Sequence, residues 1–393
     1  MADISNTVQN KDFATKSPKC LGFDSLTALF PHIYEREDLI SYISTCRDLY
    51  TAGVPHLLRF PCTIQEDNLR DFYTFLKSKA PSSFLGLRDL TCNLETLTDN
   101  SARLRPIQVE MLSEILKEAR SLTALAFDAP LLLQDETIPF SIGSMASLRI
   151  LEIGGAYNDQ VGSVFSRLQS PLEEVGPVIV PDKADPLSVL SKWQQSLKEV
   201  RVLNALCLSS QHRFTNVTVL NLDPCSVPLL CVLVPAFPKL GHLTISSADS
   251  FFHNGEDFMR LHAANVQYQR DHPTQVWSLK SFSTDITTLH ILGLQCTIPC
   301  VTISDFCPPQ YSEQFRGHLQ SSIAPFKPLE VTLIGFSDPP ADAQGLADIF
   351  VIDKGMDTVK RLNLSIIFTS EVQDPKEDVV RIGLSFRTAT KLT

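Results

Sequence analysis

A short apolar pattern that returns along the chain is the feature that most constrains its fold. Each copy places one apolar residue three positions before a second and five before a third. The clear copies are LRDLTC at Leu87, LTALAF at Leu122, LRILEI at Leu148, LKEVRV at Leu197, VTVLNL at Val217, LGHLTI at Leu240 and VKRLNL at Val359; weaker ones are LKSFST at Leu279, CVTI at Cys300 and LEVTLI at Leu329. The end of each copy alternates apolar and polar residues, which predicts a half-buried strand.

Segments with helical periodicity lie between the copies. The clearest is QVEMLSEILKEAR, whose apolar residues fall on one helical face: Val109, Leu112, Ile115, Leu116 and Ala119. Further candidates are NGEDFMRLHAANVQYQR and QGLADIFVI. A strand, a turn and a helix, repeated, are typical of a leucine-rich-repeat solenoid, an α/β fold with parallel strands on a concave face and helices outside.

The spacing of the copies is irregular. Leu148 and Leu197 are 49 residues apart, whereas regular repeats of this kind run about 20 to 29 residues. We therefore expect the long gaps to hold insertions or degenerate units, such as QVGSVFSRLQSPLEEVGPVIVPDKADP. An ordinary α/β domain of alternating strands and helices is the alternative that this pattern leaves open.

Composition limits the possible partners and the compartment. The formal net charge of −10 argues against a nucleic-acid binder, and no apolar run approaches the roughly 18 residues that a membrane helix requires. Residues 1–19 are polar, so they predict a disordered N-terminus without the apolar core of a signal peptide. The ten cysteines are then expected to be reduced thiols of a cytoplasmic or nuclear protein.

Residues 20–60 form a short helical module ahead of the repeat domain, residues 61–393. The first helix is predicted from the spacing of Leu26, Leu29, Phe30 and Ile33. REDL marks the start of a second helix, with Asp38 favoured by the helix dipole and an apolar face of Leu39, Tyr42, Ile43, Cys46 and Leu49. Gly53 and Pro55 are expected to end that helix. Because so small a module buries too little surface to be stable alone, it either caps the solenoid or packs on a partner.

On these residues the module resembles an F-box, the helical module that binds the Skp1 adaptor of cullin-RING ubiquitin ligases. Leu21 matches the leading leucine of that pattern, and Asp24 matches its acidic position. Asp38 and Leu39 match its Asp-Leu pair, and ISTCRDLY matches its closing apolar helix. The chain departs from the pattern at three positions: Gly22 replaces a proline, Asp24 replaces a glutamate, and Pro31 lies within the first helix.

An F-box followed by irregular leucine-rich repeats resembles the large fungal, basidiomycete-type F-box family. The resemblance implies the substrate-recognition subunit of an SCF-type (Skp1–cullin–F-box) ligase. The residues implied for adaptor binding are Leu21, Asp24, Leu26, Phe30, Ile33, Asp38, Leu39, Ile43 and Cys46. The candidates for binding a target protein are non-leucine positions of the predicted strands, namely Arg149, Glu152, Thr218 and Asn221.

Motifs for catalysis or metal binding are absent from the sequence. It contains no G-x-S-x-G elbow, no phosphate-binding loop, no H-E-x-x-H and no C-x-x-C pair. His290, Cys296, Cys300 and Cys307 fit no zinc module, and buried apolar thiols explain these cysteines better. His242 is expected to face outward from its strand, and Glu173 and Glu174 to lie in a loop. We therefore expect no catalytic residue, metal or cofactor; the alternatives are a repeat scaffold with a degenerate F-box and, less favoured, a hydrolase or transferase.

Overall fold

A computed structural model describes most of the 393-residue chain. The described residues are 23–78, 82–94, 105–128, 135–155, 159–179, 185–205, 208, 211–225, 229–246, 255–274, 277–306, 323–337 and 358–368. Contacts divide the chain into two units, Met1–Phe60 (unit 1) and Pro61–Thr393 (unit 2).

The described part of unit 1 is a set of short helices around one apolar core. They are α1 (Phe23–Thr27), a 3₁₀ helix (Phe30–His32), α2 (Arg36–Ile43) and α3 (Arg47–Leu57). The buried core consists of Phe30, Leu39, Ile43 and Leu49, with Leu26, Ile33, Tyr42, Tyr50, Ala52, Leu57 and Phe60 packed around it. The ring of Phe30 lies edge-on to that of Tyr42, at 5.9 Å between centroids. The hydroxyl of Tyr42 donates to the carbonyl of Leu26 at 3.1 Å, which holds α1 to α2.

Pro31 lies at a break between helices, which avoids the cost of a proline in a helix interior. The first helix ends at Thr27, and Pro31 stands in the first turn of the 3₁₀ helix.

The predicted second helix is two helices, so that expectation was wrong. The hydroxyl groups of Ser44 and Thr45 donate to the carbonyls of Ile40 and Tyr42, at 2.7 and 2.9 Å, and compete with helix continuation. Cys46 then takes an extended conformation and precedes α3.

The expectation that Gly53 and Pro55 end a helix was also wrong, because α3 runs through both. Gly53 is required by close packing rather than by a turn. A Cβ atom on it would lie 2.2 Å from Cγ2 of Ile43.

Unit 2 contains an all-parallel sheet. Its twelve described strands lie side by side in chain order: β1 (Cys62–Ile64), β2 (Asp89–Cys92), β3 (Ala124–Asp128), β4 (Ile150–Gly154), β5 (Glu174–Ile179), β6 (Glu199–Ala205), β7 (Val219–Cys225), β8 (His242–Ile245), β9 (Ser281–Asp285), β10 (Cys300–Phe306), β11 (Glu330–Ser337) and β12 (Arg361–Phe368). The predicted α/β class is confirmed, and this strand order is compatible with a solenoid.

Helices join most of the described strands. They are α4 (Leu69–Ser78), α5 (Ser82–Gly86), α6 (Pro106–Glu118), α7 (Thr137–Gly143), α8 (Asp159–Arg167), α9 (Pro186–Leu190), α10 (Leu230–Ala236), α11 (Gly255–Asp271) and α12 (Ile286–Leu292), with 3₁₀ helices at Ser191–Trp193 and Ala324–Phe326. The predicted apolar face of α6 is buried, as expected. The helix predicted at NGEDFMRLHAANVQYQR is α11, whereas QGLADIFVI lies outside the described residues.

A repeated backbone contact joins each unit of the sheet to the next. The acceptor is the carbonyl of the residue that directly precedes a strand. It accepts one bond from the amide of the residue that precedes the next strand, and a second from the amide of the first residue of that next strand. For example, the carbonyl of Thr123 accepts from the amides of Arg149 and Ile150 at 2.7 and 3.0 Å. The carbonyl of Arg149 accepts in the same way from Glu173 and Glu174. The contact recurs from β2 to β12, with a single hydrogen bond at β10, where Pro299 has no N–H and only the amide of Cys300 donates to the carbonyl of Lys280. This repetition keeps the register of the apolar rows along that part of the sheet.

All the predicted copies of the apolar pattern are strands in the structure, but two strands were missed. In β5 the inward residues are Val175 and Val178, and a register shift between them adds one residue to the usual spacing. The Gly176–Pro177 pair fills this bulge. This segment is therefore the degenerate unit expected between Leu148 and Leu197. The other missed strand, β1, is only three residues long.

The end of α12 is covered by polar side chains from α11. The Nδ2 atom of Asn265 donates to the carbonyl of Ile291 at 3.0 Å, and Nε2 of Gln269 donates to that of Gly293 at 3.0 Å. Oδ1 of Asn265 accepts from the amide of Leu230 at the start of α10, at 2.8 Å. Because both side chains are buried, these bonds satisfy backbone groups that water does not reach.

Both tryptophans of the chain are buried in unit 2. The indole N–H of Trp193 donates to the carbonyl of Ser170 at 2.8 Å, and that of Trp277 donates to the carbonyl of Phe237 at 2.9 Å. Each indole therefore joins neighbouring units of the repeat and reports on its own part of the sheet.

Candidate interaction surfaces

The residues that the sequence suggested for adaptor binding fall into a buried and an exposed group. Phe30, Leu39 and Ile43 are at most 2% exposed, and they pack against one another in the core of unit 1. Leu26 and Ile33 are half-buried beside that core, while Asp24, Asp38 and Cys46 are exposed; Leu21 lies outside the described residues. The three buried side chains hold the module together, so a partner would meet other residues.

Unit 1 also exposes large apolar side chains that are not among the residues implied for adaptor binding. They are Phe23, Leu29, Tyr34 and Ile40, exposed by 47%, 45%, 80% and 41%. All four come from residues 23–40, whereas the other large exposed apolar residues described are spread along unit 2. Exposed apolar side chains concentrated in a short stretch are typical of an interaction site.

The second surface is the outer face of the sheet, defined by the strand positions that alternate with the buried rows. The strand register aligns one outer row of Asp89, Ala124, Ile150, Glu174, Glu199, Val219, His242, Ser281, Cys300, Glu330 and Arg361. A second row contains Thr63, Thr91, Ala126 and Glu152, and then Arg201, Asn221, Thr244, Ser283, Thr302, Thr332 and Asn363. All of these side chains are half-buried or exposed.

The outer face of β2–β6 is charged. Arg201 on β6 reaches across β5, so that its Nη2 atom lies 2.7 Å from Oε1 of Glu152 on β4. Its Nε atom lies 3.1 Å from Oε1 of Glu199. Gly176 makes this crossing possible, because a Cβ atom there would lie 2.4 Å from Cβ of Arg201. Lys198 pairs with Glu173 beside the sheet, and that hydrogen bond lowers the pKa of the Glu173 carboxyl.

Asp89, on β2, is a carboxylate of this face in an unfavourable setting. Burial raises the pKa of Asp89, and the nearby charge of Glu152 raises it further. Among the described residues no cation is paired with Asp89. It therefore differs from Glu152 and Glu199, which share the guanidinium of Arg201.

The outer face of β7–β12 is mostly neutral and hydrogen-bonding. The imidazole Nδ1 of His242 lies 2.7 Å from the hydroxyl of Ser281 on the next strand. Nδ2 of Asn363 donates to Oε1 of Glu330 at 2.8 Å. His242 lies on the outer face, as expected, and is half-buried.

The four predicted target-binding residues do not lie together. Glu152 and Asn221 are on the second outer row, on β4 and β7, with β5 and β6 between them. Arg149 and Thr218 each stand one residue before their strand, and their carbonyls take part in the contact between units. Nη1 of Arg149 donates to the carbonyl of Pro171 at 3.2 Å. Of the four, only Glu152 belongs to the charged region described above.

Two further sequence expectations need correction. Cys300 begins β10 on the outer row, and its thiol is exposed rather than buried, because the strand register turns this position outward. Glu174 is the first residue of β5, so the loop expectation was wrong for Glu174, while Glu173 directly precedes the strand and lies outside it. Cys296 is half-buried rather than buried, and desolvation raises the pKa of its thiol to about 11.

The described residues offer little for chemistry. No group of three or more His, Cys, Asp or Glu side chains among them is arranged to hold a metal ion; Cys307 lies outside these residues. A cavity of about 10 Å³ lies between α6, α7 and strands β2 and β3, and its lining is Cys92, Leu112, Leu116, Leu125, Phe127, Ile138 and Ile142. It has room for one water molecule and carries no polar side chain.

Sequence reasoning missed Asp89, Glu199 and Arg201 as parts of the charged face. The signal was present in the repeat pattern, because each occupies an outward position between the apolar residues of LRDLTC or LKEVRV. Aligning those outward positions copy by copy would have brought them together. The crossing by Arg201 could not be found in this way, because it depends on the bulge at Gly176.

No protein-family model matches the sequence, and no curated protein matches it. None of the described helices is long and apolar enough to cross a membrane. The two surfaces above are therefore the basis for a functional proposal.

Proposed function

We propose that this chain is the substrate-recognition subunit of an SCF-type ubiquitin ligase. Unit 1 binds a Skp1-like adaptor, and through it a cullin, while the outer face of the sheet binds a target protein. The observation that carries the proposal is the exposure of Phe23, Leu29, Tyr34 and Ile40 on unit 1. The resemblance of residues 20–60 to an F-box gives the class of partner.

The role of such a subunit is tethering. A target held on the outer face is kept near the conjugating enzyme that carries ubiquitin, so its effective concentration there rises. The chain itself then needs no catalytic residue.

Co-purification of the full chain with a Skp1 homologue tests this proposal. We expect the wild-type chain to bind and Leu29→Asp/Ile40→Asp to lose at least tenfold in affinity, because buried apolar contacts at an interface each contribute about 1 to 2 kcal/mol. Both side chains are largely exposed, so the fold should tolerate the change.

A matched control is Ile107→Asp/Phe140→Asp, which changes two exposed apolar residues of unit 2 in the same way. It should bind the adaptor as well as wild type. Gly53→Ala supplies the opposite control: its new methyl group would clash with Ile43, loosening the core of unit 1 and weakening binding without touching the exposed residues. A folded wild-type chain that fails to bind any Skp1 homologue would refute the proposal.

The alternative is a repeat scaffold with a degenerate F-box and no ligase role. The burial of Phe30, Leu39 and Ile43 favours it, because these F-box-like positions already serve the core of unit 1. In that case unit 1 stabilises the chain itself, and Leu29→Asp/Ile40→Asp leaves every interaction of the chain unchanged.

A further inference from the structure

Two places on the outer face have a similar arrangement of carboxylates, but they differ in the cation that lies between them. At each, two carboxylates on alternate strands flank a strand with little side chain between them. The first place, the β5 site, lies over Gly176, between Glu152 and Glu199. The second, the β3 site, lies over Ala124 and Ala126, between Asp89 and Glu152. The register places Asp89 beside Ala124 and Ala126 beside Glu152.

The β5 site shows which ligand this layout accepts. It is filled by the guanidinium of Arg201, which contacts Glu152 at 2.7 Å and Glu199 at 3.1 Å. The chain therefore supplies its own cation there.

In the β3 site Glu152 is already paired with Arg201 from the side of β5, whereas Asp89 is paired with no cation of the described residues. The described arginines that directly precede β2 and β4 are engaged elsewhere: Nη1 of Arg88 donates to the carbonyl of Ser121 at 2.8 Å, and Nη1 of Arg149 donates to the carbonyl of Pro171 at 3.2 Å. The direction of the pKa shift at Asp89 agrees with this, since its causes are burial and Glu152.

We propose that the β3 site binds a lysine or arginine side chain from an extended basic segment of the target protein. This inference rests on the proposed function, in which the outer face holds the target. Charge complementarity selects the occupant: the described outer positions of β1–β6 carry the carboxylates of Asp89, Glu152, Glu174 and Glu199 against the guanidinium of Arg201. A net charge of −10 disfavours a polyanion on the same surface.

The sheet also sets the spacing of the basic residues. Neighbouring strands are about 4.8 Å apart, so two strands span about 9.6 Å. A segment in the extended polyproline II conformation has three residues per turn and rises about 3.1 Å per residue, so residues three apart lie on the same face, about 9.3 Å from one another. A segment running across the strands with a basic residue at every third position would place one cation at the β3 site and the next at Glu174, on β5.

The test uses a labelled 12-residue Ala/Ser peptide with lysine at every third position, and the same peptide with every lysine acetylated. Fluorescence anisotropy should show binding of the lysine peptide and at least tenfold weaker binding of the acetylated one. Ala126→Arg places a cation of the chain's own in the β3 site, by analogy with Arg201, so it should weaken binding at least tenfold. Thr302→Arg adds the same charge to the same outer row on β10, and it should weaken binding by less than threefold.

Asp89→Asn provides a second variant that adds no bulk and leaves the Arg201 contacts in place; it should weaken binding about fivefold. Tryptophan fluorescence, which reports only on unit 2, verifies that each variant is folded. The inference fails if the lysine peptide does not bind, if acetylation has no effect, or if Thr302→Arg weakens binding as much as Ala126→Arg. Adaptor co-purification uses unit 1, so a wild-type chain that binds the adaptor but does not bind the lysine peptide contradicts this inference and leaves the proposed adaptor binding intact.

Discussion

Because the carboxylate of Asp89 is unpaired among the described residues, we expect its ionisation to make the stability of the fold depend on pH. A carboxyl whose pKa is higher in the folded than in the unfolded chain binds its proton more tightly when folded, so its ionised form opposes folding. That cost is fully present above the raised pKa of Asp89 and disappears below its usual value of 3.8.

We therefore expect Asp89→Asn to raise the Tm at pH 7, on the order of 1 °C because the side chain is only partly buried. The difference from wild type should vanish as the pH falls below about 4. Thermal melts followed by circular dichroism across this pH range measure it. A lower Tm for Asp89→Asn at pH 7 would mean that the carboxylate has a stabilising partner in the chain.

Among the elements, α12 depends most clearly on side chains from another helix. Asn265→Ala would leave the amide of Leu230 and the carbonyl of Ile291 without the partners that they have now. Each unsatisfied buried group costs about 1 to 3 kcal/mol, so we expect a loss of about 2 to 4 kcal/mol in the free energy of unfolding. Urea titration monitored at Trp277 measures this loss.

Gln267→Ala on the same helix is the control, because Gln267 is exposed and bonds only to Asp271 in the next turn. It should change the free energy of unfolding by less than about 0.5 kcal/mol. If Asn265→Ala is equally mild, the cover of α12 contributes little to stability.

How far the sequence predicts these elements depends on local regularity. The strands with the apolar spacing of Leu90 and Cys92 were predicted, because alternation and a preceding leucine are enough to identify them. The strand β5 was missed because its bulge changes that spacing, and the break at Ser44 was missed because it arises from two side-chain hydrogen bonds. The polar cover of α12 joins residues from three helices, which no local pattern reveals.

For the surfaces, the sequence predicted that outward strand positions would form the target face, and it named Glu152. It did not predict which outward residues pair, since Arg201 reaches Glu152 only across a strand that was not recognised. In unit 1 it chose apolar residues by motif, and the structure separates those in the core, such as Phe30, from exposed ones, such as Leu29.

On the scale of the whole molecule, the sheet is a linear array in which the backbone of each described strand pairs only with the strands beside it. Stability in such arrays is the sum of local terms and nearest-neighbour terms, so a lesion should act mainly nearby. Gly176→Ala is such a lesion. The glycine has φ of +146°, and its new Cβ would lie 2.7 Å from the carbonyl oxygen of Arg201.

We expect Gly176→Ala to destabilise the part of the sheet that contains Trp193 by about 2 kcal/mol or more. The transition seen by Trp277, farther along the sheet, should move less. Urea unfolding in Trp277→Phe and Trp193→Phe backgrounds separates the two signals. Gly241→Ala, with its nearest neighbour at 3.7 Å, should shift neither; equal shifts in both signals for Gly176→Ala would show that the array unfolds as one cooperative block.

The backbone contact between successive units also fixes the distances between the side chains of the outer face. Every unit advances the outer face by one strand spacing of about 4.8 Å. This holds both where the connection contains the long helix α11 and between β6 and β7, where none of the described residues is helical. Loop and helix lengths can therefore vary without changing the distances between outer side chains. Deleting one whole unit would instead shorten the distance between outer side chains on either side of the deletion by one strand spacing. A partner that binds two such side chains at once would then no longer fit both.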